Sequence, residues 1–306
     1  MEKTLNRKNR IKSQDGAVST VLIYGFILLI LIITLYPFIN VLAISFNESS
    51  DTAMGMNMLW PRIWTLENYR RLTQFENLGW AAWNSVLRTV LGTFAGILCT
   101  ATVAYTLSRR DYAFRRIIGF LFLVPIYVSG GIIPYFLLIR NLGMMNTFAV
   151  YIVPALISTW NVIIMRSFMD NLPYELQESA MLDGAGDFKI FIRIVFPLCK
   201  PVVATIGLWI AVGHWNSWID TYLFNAFSPH LSTLQYELMK VLDSTNIGNA
   251  AGRHLLDQNA AAAARMVSPM STRMAITVVV ILPILMVYPF IQRYFVTGMT
   301  LGAVKS

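Results

Sequence analysis

NLPYELQESAMLDGAGDFKIFIRIVFPLCKP, residues 171–201, is the longest well-patterned polar stretch in a chain that is otherwise mostly apolar. It lies between two runs of membrane length. Its first part reads as a short helix: Asn171 can cap it, Pro173 is tolerated in the first turn, and Glu175 suits the positive end of the dipole. Gly184 then stops that helix as a C-terminal glycine does. Asp187 can cap a second helix, in which Phe188, Phe191, Ile192 and Val195 share one side until Pro197 ends it. Two short helices joined at a glycine are built for docking rather than for mere connection.

Outward from this stretch, composition sets the class. Of 306 residues, 56% are hydrophobic and 13% charged, against about 25% charged in soluble domains. Four runs can span a bilayer unaided, and two more can span if their Pro and Gly interruptions are buried in protein. A formal net charge of +8 would point to nucleic acid in a soluble protein. Here Lys and Arg marking cytoplasmic loops explain it, and no nucleic-acid partner is expected. Cys99 and Cys199 fall in a predicted span and at a membrane edge, positions that suggest neither a disulfide nor a metal site.

The expected organisation is all-α. Residues 1–17 form a basic cytoplasmic tail with Lys3, Arg7, Lys8, Arg10 and Lys12, which fixes topology and meets anionic membrane lipid. Residues 18–306 form one six-span domain. The spans are expected at about Val18–Phe46, Ala81–Ser108, Ile117–Arg140, Phe148–Phe168, Val202–Phe224 and Met274–Phe295. The first reads as a retained span, since it is too long for a signal-peptide core and lacks a small-residue cleavage site. Between spans five and six lies a long polar insertion, 225–273, without a span of its own. With the N-terminus inside, the inner segments hold fifteen of the 24 Lys and Arg residues and the outer segments and span ends nine, Arg88 among them. Four of those nine lie in the long insertion, where charge weighs less. Both termini are therefore expected in the cytoplasm.

Chemistry-bearing motifs are few. No G-x-x-x-x-G-K-[ST] loop cradles phosphates, no H-E-x-x-H is present, and His214, His230 and His254 are scattered. No G-x-S-x-G elbow appears. Nothing supports a catalytic residue or a metal ligand. His214 and Asp220, the only loose acid–base candidates, are six apart and do not share one helical face well.

The remaining signal is residues 171–201. Glu178-Ser179-Ala180, Gly184, Ile194 and Phe196-Pro197 resemble the E-A-A-x-x-x-G-x9-I-x-L-P loop of ABC importer permeases, with Ser179 in place of an alanine and Phe196 in place of the leucine. The resemblance extends along most of the chain. Trp83-Asn84-Ser85 with Thr89 opens the second span, and Ala104-Tyr105-Thr106-Leu107-Ser108-Arg109 closes it. Ile133-Pro134-Tyr135 leads to Leu142-Gly143-Met144-Met145-Asn146-Thr147. Trp215-Asn216-Ser217-Trp218 lies in the fifth span, and Gln292-Arg293-Tyr294-Phe295-Val296 precedes Gly302-Ala303-Val304-Lys305. Together these are similar to the carbohydrate branch, the second permease of maltose-type transporters. The insertion is similar to the family loop that reaches into the sugar-binding protein.

This resemblance implies a type I importer fold and an ATP-driven permease subunit for sugars or oligosaccharides. The bond chemistry of ATP and Mg would sit on a partner ATPase, with no cofactor on this chain. The implied partners are a homologous second permease, two ATPase subunits and an extracytoplasmic sugar-binding protein, all at the bacterial cytoplasmic membrane. Coupling to the ATPase would fall on Glu175, Glu178, Ser179, Ala180, Asp183, Gly184, Ala185 and Pro197. There the small residues permit close approach, and the acids offer acceptors. Tyr127 and Ser129 in the third span, with Trp215, Asn216 and Trp218 in the fifth, are candidates for the translocation path or, equally, for packing. Two rivals stay open: a permease of the same superfamily for peptides, amino acids or polyamines, and an ion-driven secondary transporter.

Overall fold

Long apolar runs without polar interruption must satisfy their backbone internally, and helices do so. The computed structural model describes residues 17–55, 59–73, 77–243 and 269–303, and nearly all regular structure among them is helical. In chain order the helices are α1 (Ala17–Ser45), α2 (Ser49–Met54), α3 (Glu67–Leu72), α4 (Leu78–Ser108), α5 (Arg115–Tyr127), α6 (Ile132–Asn141), α7 (Thr159–Asp170) and α8 (Glu175–Leu182). They continue with α9 (Asp187–Leu198), α10 (Lys200–Asn216), α11 (Ile219–Phe224), α12 (residues 234–243) and α13 (Pro269–Ala303).

Three helices are long and apolar enough to cross a bilayer unbroken, over Ser19–Ser45, Leu78–Ser108 and Met270–Val287. Two bent pairs are also long and apolar enough if each is taken together, as a broken span or a re-entrant segment. Short 3-10 turns at Phe148–Ala155 meet α7 at 44°, and α9 meets α10 at 82°. The expected third span is not continuous. It is two helices, α5 and α6, separated at Val128–Gly131, where Gly131 takes a φ of 82°. The expected fifth span also divides, into α10 and α11, at Ser217 and Trp218.

The centre of the bundle is α4, with α7 and α10 packed along it, while α13 packs on both α1 and α10. Small residues set the closest approach. A Cβ on Gly92 would lie 2.3 Å from His214 Nε2, and one on Gly207 would lie 2.9 Å from Ile97 Cδ1. Each helix thus offers a glycine to a large side chain of the other. By contrast α1 leaves most of its large side chains from Val21 to Leu42 exposed, so lipid or another chain must cover them.

A polar knot fixes the end of α1. Asn47, fully buried, donates from Nδ2 to Asp51 Oδ2 (2.7 Å) and Thr52 Oγ1 (3.0 Å). Its Oδ1 accepts from the backbone N–H groups of Arg62 (2.8 Å) and Ile63 (2.9 Å). Nothing polar on that amide is left unpaired, as burial requires.

The insertion, over its described residues 225–243, is anchored rather than loose. Asn84 Nδ2 donates to the carbonyls of His230 (2.7 Å) and Ser232 (2.9 Å), and Ser85 Oγ accepts from Leu234 N–H (2.9 Å). Tyr151 donates its hydroxyl to the Leu231 carbonyl at 2.7 Å. Asn84 and Ser85 therefore hold the insertion's backbone across the end of α4. Residues 244–268, with the Ala260–Ala264 run, lie outside the described residues, as does the tail 1–16.

Candidate functional site

At the opposite end of α4 from the insertion, the 171–201 stretch forms the expected helix pair. Gly184 has a φ of 76°, a conformation that costs an L side chain about 1–2 kcal/mol. Its N–H donates to Met181 O (2.9 Å), and Ala185 N–H donates to Ala180 O (2.9 Å). This paired closure satisfies two of the carbonyls that end α8. Glu175 and Glu178 lie in the first turn of α8, where the dipole favours them.

The expected caps are not used. Asn171 instead closes α7, donating from Nδ2 to Ser167 O at 2.7 Å. Asp187 is the first residue of α9 rather than its cap, and its carboxylate pairs with Arg109, 3.0 Å from Oδ1 to Nη2. The buried side of α9 is also turned from the expected one. Ile190, Phe191 and Val195 are buried and Ile194 packs beside them, while Phe188 is 75% exposed and Ile192 is also exposed.

Pro197 does not end that helix, which continues to Leu198. Proline clashes with the carbonyl four residues before it. One wide π turn at Phe191–Val195, closed by Phe196 N–H donating to Phe191 O, precedes the proline and gives it room. The chain then turns 82° into α10, at the buried Cys199.

Arg109, just past the end of α4, joins both halves of the pair to the bundle. Its Nη1 donates to the buried Gln177 Oε1 of α8 (3.1 Å), and Nη2 reaches Asp187 of α9. Asp111 holds Nε at 3.2 Å, and Tyr105 lies beneath the guanidinium, 5.9 Å from ring centroid to Cζ. Burial alone would depress the Arg109 pKa; the hydrogen-bonded Asp111 carboxylate, with Tyr105 and Asp187 near it, raises it instead. The Tyr105 ring also lies tilted against that of Phe191, 5.0 Å between centroids, and its hydroxyl donates to the Asp187 carbonyl at 3.3 Å. Beneath them Ala101, Met165, Ala180, Ile190 and Val202 share one apolar cluster.

The pair's outward surface is therefore specific. Leu182 is 89% exposed and Phe188 is exposed as well, as are Glu175, Glu178, Ser179 and Asp183. Ser179 Oγ donates to Glu175 O at 2.8 Å. Ala180 is buried against its own chain, and Ala185 is half-buried. Their small size serves internal packing rather than a free surface.

The candidate path residues do not come together. Trp215 is buried in a packing cluster with Ala275 and Val280, its Nε1–H donating to Val280 O at 3.0 Å. Trp218 is half-buried with its ring 6.1 Å from that of Tyr222, and Asn216 is exposed. Tyr127 is exposed at the α5–α6 break, and the exposed Ser129 accepts the Gly131 N–H at 3.3 Å.

What sequence reasoning missed lies between them. Arg88, about 15 Å along α4 from its start, pairs through Nη2 with Asp220 Oδ2 at 2.7 Å and donates from Nη1 to the Ser217 carbonyl at 3.2 Å. Its guanidinium sits over the Tyr151 ring, 4.5 Å from the centroid. His214 and Asp220 do line one cavity, because the chain breaks between them at Ser217 and Trp218. An arginine well inside a predicted span, with an aspartate at a later one, was the available signal.

Residues 89–301 match the model of the family described as binding-protein-dependent transport system inner membrane component. The polygalacturonan/rhamnogalacturonan transport system permease protein YtcP of Bacillus subtilis is 34% identical, over 93% of this chain and 97% of its own. The arabinooligosaccharides transport system permease protein AraQ of Halalkalibacterium halodurans is 28% identical over 94% of this chain and 97% of its own. Among solved structures, a chain of a bacterial ABC transporter involved in the import of the acidic polysaccharide alginate superposes with a TM-score of 0.76. It is 27% identical, with 90% of this chain and 98% of that one covered. The helix order, the glycine-turned pair and these matches agree: the chain belongs to the inner-membrane components of binding-protein-dependent transport systems, the permease chains of ABC transporters.

Proposed function

We propose that this chain forms half of the translocation path of an ATP-driven oligosaccharide importer and is driven through its 171–201 loop by an ATPase on separate chains. The observation that carries this reading is the Arg109 linkage. It ties α8 and α9 to the end of α4 and leaves Leu182 and Phe188 outward. A cleft on the ATPase would take these two apolar side chains. Glu175, Glu178 and Asp183 would meet donors around its rim, and Gly184 would set the angle between the two helices. Ser179 would lie within the contact; Ala180, Ala185 and Pro197 would shape the pair from beneath. ATP and Mg would be held by the ATPase, and this chain would bind no cofactor.

In this reading the loop end faces the cytoplasm, with both termini there, and the chain crosses the membrane six times. The α5–α6 pair supplies the crossing that no single long helix makes, and Tyr127 and Ser129 would lie where it loosens. A homologous permease would cover exposed faces such as that of α1. An outer sugar-binding protein would deliver ligand above the anchored part of the insertion. The oligosaccharide substrate is supported by the transport functions of the relatives above. Closure of the ATPase dimer would move the paired loops and switch the bundle between two states.

The test is uptake into proteoliposomes holding this chain with a candidate partner permease, ATPase and binding protein. A radiolabelled oligosaccharide panel should accumulate with ATP inside and not with an imposed proton or sodium gradient alone. Gradient-driven uptake without ATP would overturn the reading in favour of a secondary transporter.

A further inference from the structure

Two of the membrane crossings break at the same place. The bend between Ala155 and α7 and the break between α10 and α11 open on one cavity of about 510 Å³. Ligand sites commonly fall in the range of roughly 300–1,000 Å³. Broken helices at membrane depth are tolerated where they line such a space.

The lining carries more polar capacity than the fold uses. Asn161 is 7% exposed and His214 5%, and neither side chain makes a hydrogen bond among the described residues. Arg88 is 2% exposed, and its Nε also lacks a partner. Polar groups largely withdrawn from water are costly unless something satisfies them, and two of these, Asn161 and His214, line one space. Trp160 and Trp209 also line the cavity, and each keeps part of its indole exposed.

We propose that this cavity is a saccharide subsite on this chain, which takes one neutral glycosyl unit of the transported oligosaccharide. The inference rests on the reading of the chain as an oligosaccharide permease. A sugar ring presents hydroxyls at its edge, each both donor and acceptor, and C–H groups on a face. The edge suits the Asn161 amide, the His214 imidazole and the Asp220 carboxylate. The C–H face suits the indoles of Trp160 and Trp209. Charge selects among sugars. Arg88 and Asp220 neutralise each other at 2.7 Å, so the cavity offers no spare cation to a uronate carboxylate.

The test uses the whole transporter in proteoliposomes. It is offered one mixture of neutral and uronate oligosaccharides from hydrolysed plant cell wall, with mass spectrometry of the lumen. If the wild type accumulates no saccharide under ATP, the permease reading fails and this inference with it. If it does, the accumulated saccharide becomes the probe, titrated by calorimetry into the purified permease–ATPase assembly without its binding protein. Asn161→Ala and Trp209→Ala should each weaken binding by about tenfold, the loss of about one good ligand contact. Trp209→Phe, which keeps an aromatic face, should recover most of it. Trp83→Ala, an exposed position outside the cavity, should leave binding unchanged, and co-purification of all subunits shows that each variant is assembled. Unchanged binding in assembled Asn161→Ala and Trp209→Ala would reduce the cavity to a water-filled gap. Accumulation of uronates alone would overturn the neutral assignment.

Discussion

At the scale of single residues, the partners of Arg109 differ in burial, and that difference orders the effects of removing them. Gln177 is buried, whereas the Asp187 and Asp111 side chains are 67% and 63% exposed. Exposed ion pairs contribute about 0–1 kcal/mol. A buried polar group stripped of its partner costs about 1–3 kcal/mol. Arg109→Ala should therefore lower the thermal stability of the solubilised protein clearly more than Asp187→Asn or Asp111→Asn, and should expose the 171–201 loop to protease. Equal losses from all three would show that Arg109 is an ordinary surface charge. Gly184 gives a second ordering. A Cβ there meets nothing within 4 Å, so the penalty is purely one of backbone conformation. Gly184→Asn should be milder than Gly184→Ala, and Gly184→Val the most severe, spanning about 1–2 kcal/mol. A melting series that ignored this order would contradict the left-handed turn.

At the scale of elements, α4 and α10 are held by the reciprocal glycine contacts at Gly92 and Gly207. Gly92→Ala would push against the His214 ring, and overpacking of this kind costs about 1–3 kcal/mol. Gly207→Ala meets only the flexible tip of Ile97 and should cost less. Melting of the two variants in the same detergent checks this ordering. The helix pair itself was readable from sequence because the chemistry at Gly184 admits few conformations. Its caps were not, because Asn171 and Asp187 have better partners in neighbouring elements, Ser167 O and Arg109. Nor was the buried side of α9 readable. Apolar residues occur nearly all round that segment, so periodicity cannot choose a face, and Phe188 and Ile192 point away from the core. The polar cavity was hidden for a related reason. His214 and Asp220 look misaligned on a continuous helix, and only the break at Ser217 and Trp218 brings both to one space.

At the scale of the whole molecule, helix positions followed from apolar length, while breaks within the third, fourth and fifth expected spans depend on neighbours that cover the interrupted backbone. The chain reads as a lever. The 171–201 pair is clamped to α4 by Arg109; α4 is packed on α7 and α10, and these reach the cavity and the anchored insertion. A push on the pair would thus pass to both broken crossings. The most direct test is a pull-down from membranes in which this chain, tagged, is co-expressed with a candidate partner permease and ATPase. Wild type is compared with Gly184→Pro, which cannot adopt the positive φ of 76° and removes the N–H bonded to Met181 O. The account predicts that wild type retains both partners, and that Gly184→Pro keeps the second permease and loses the ATPase. Retention of the ATPase by a folded Gly184→Pro chain would contradict it.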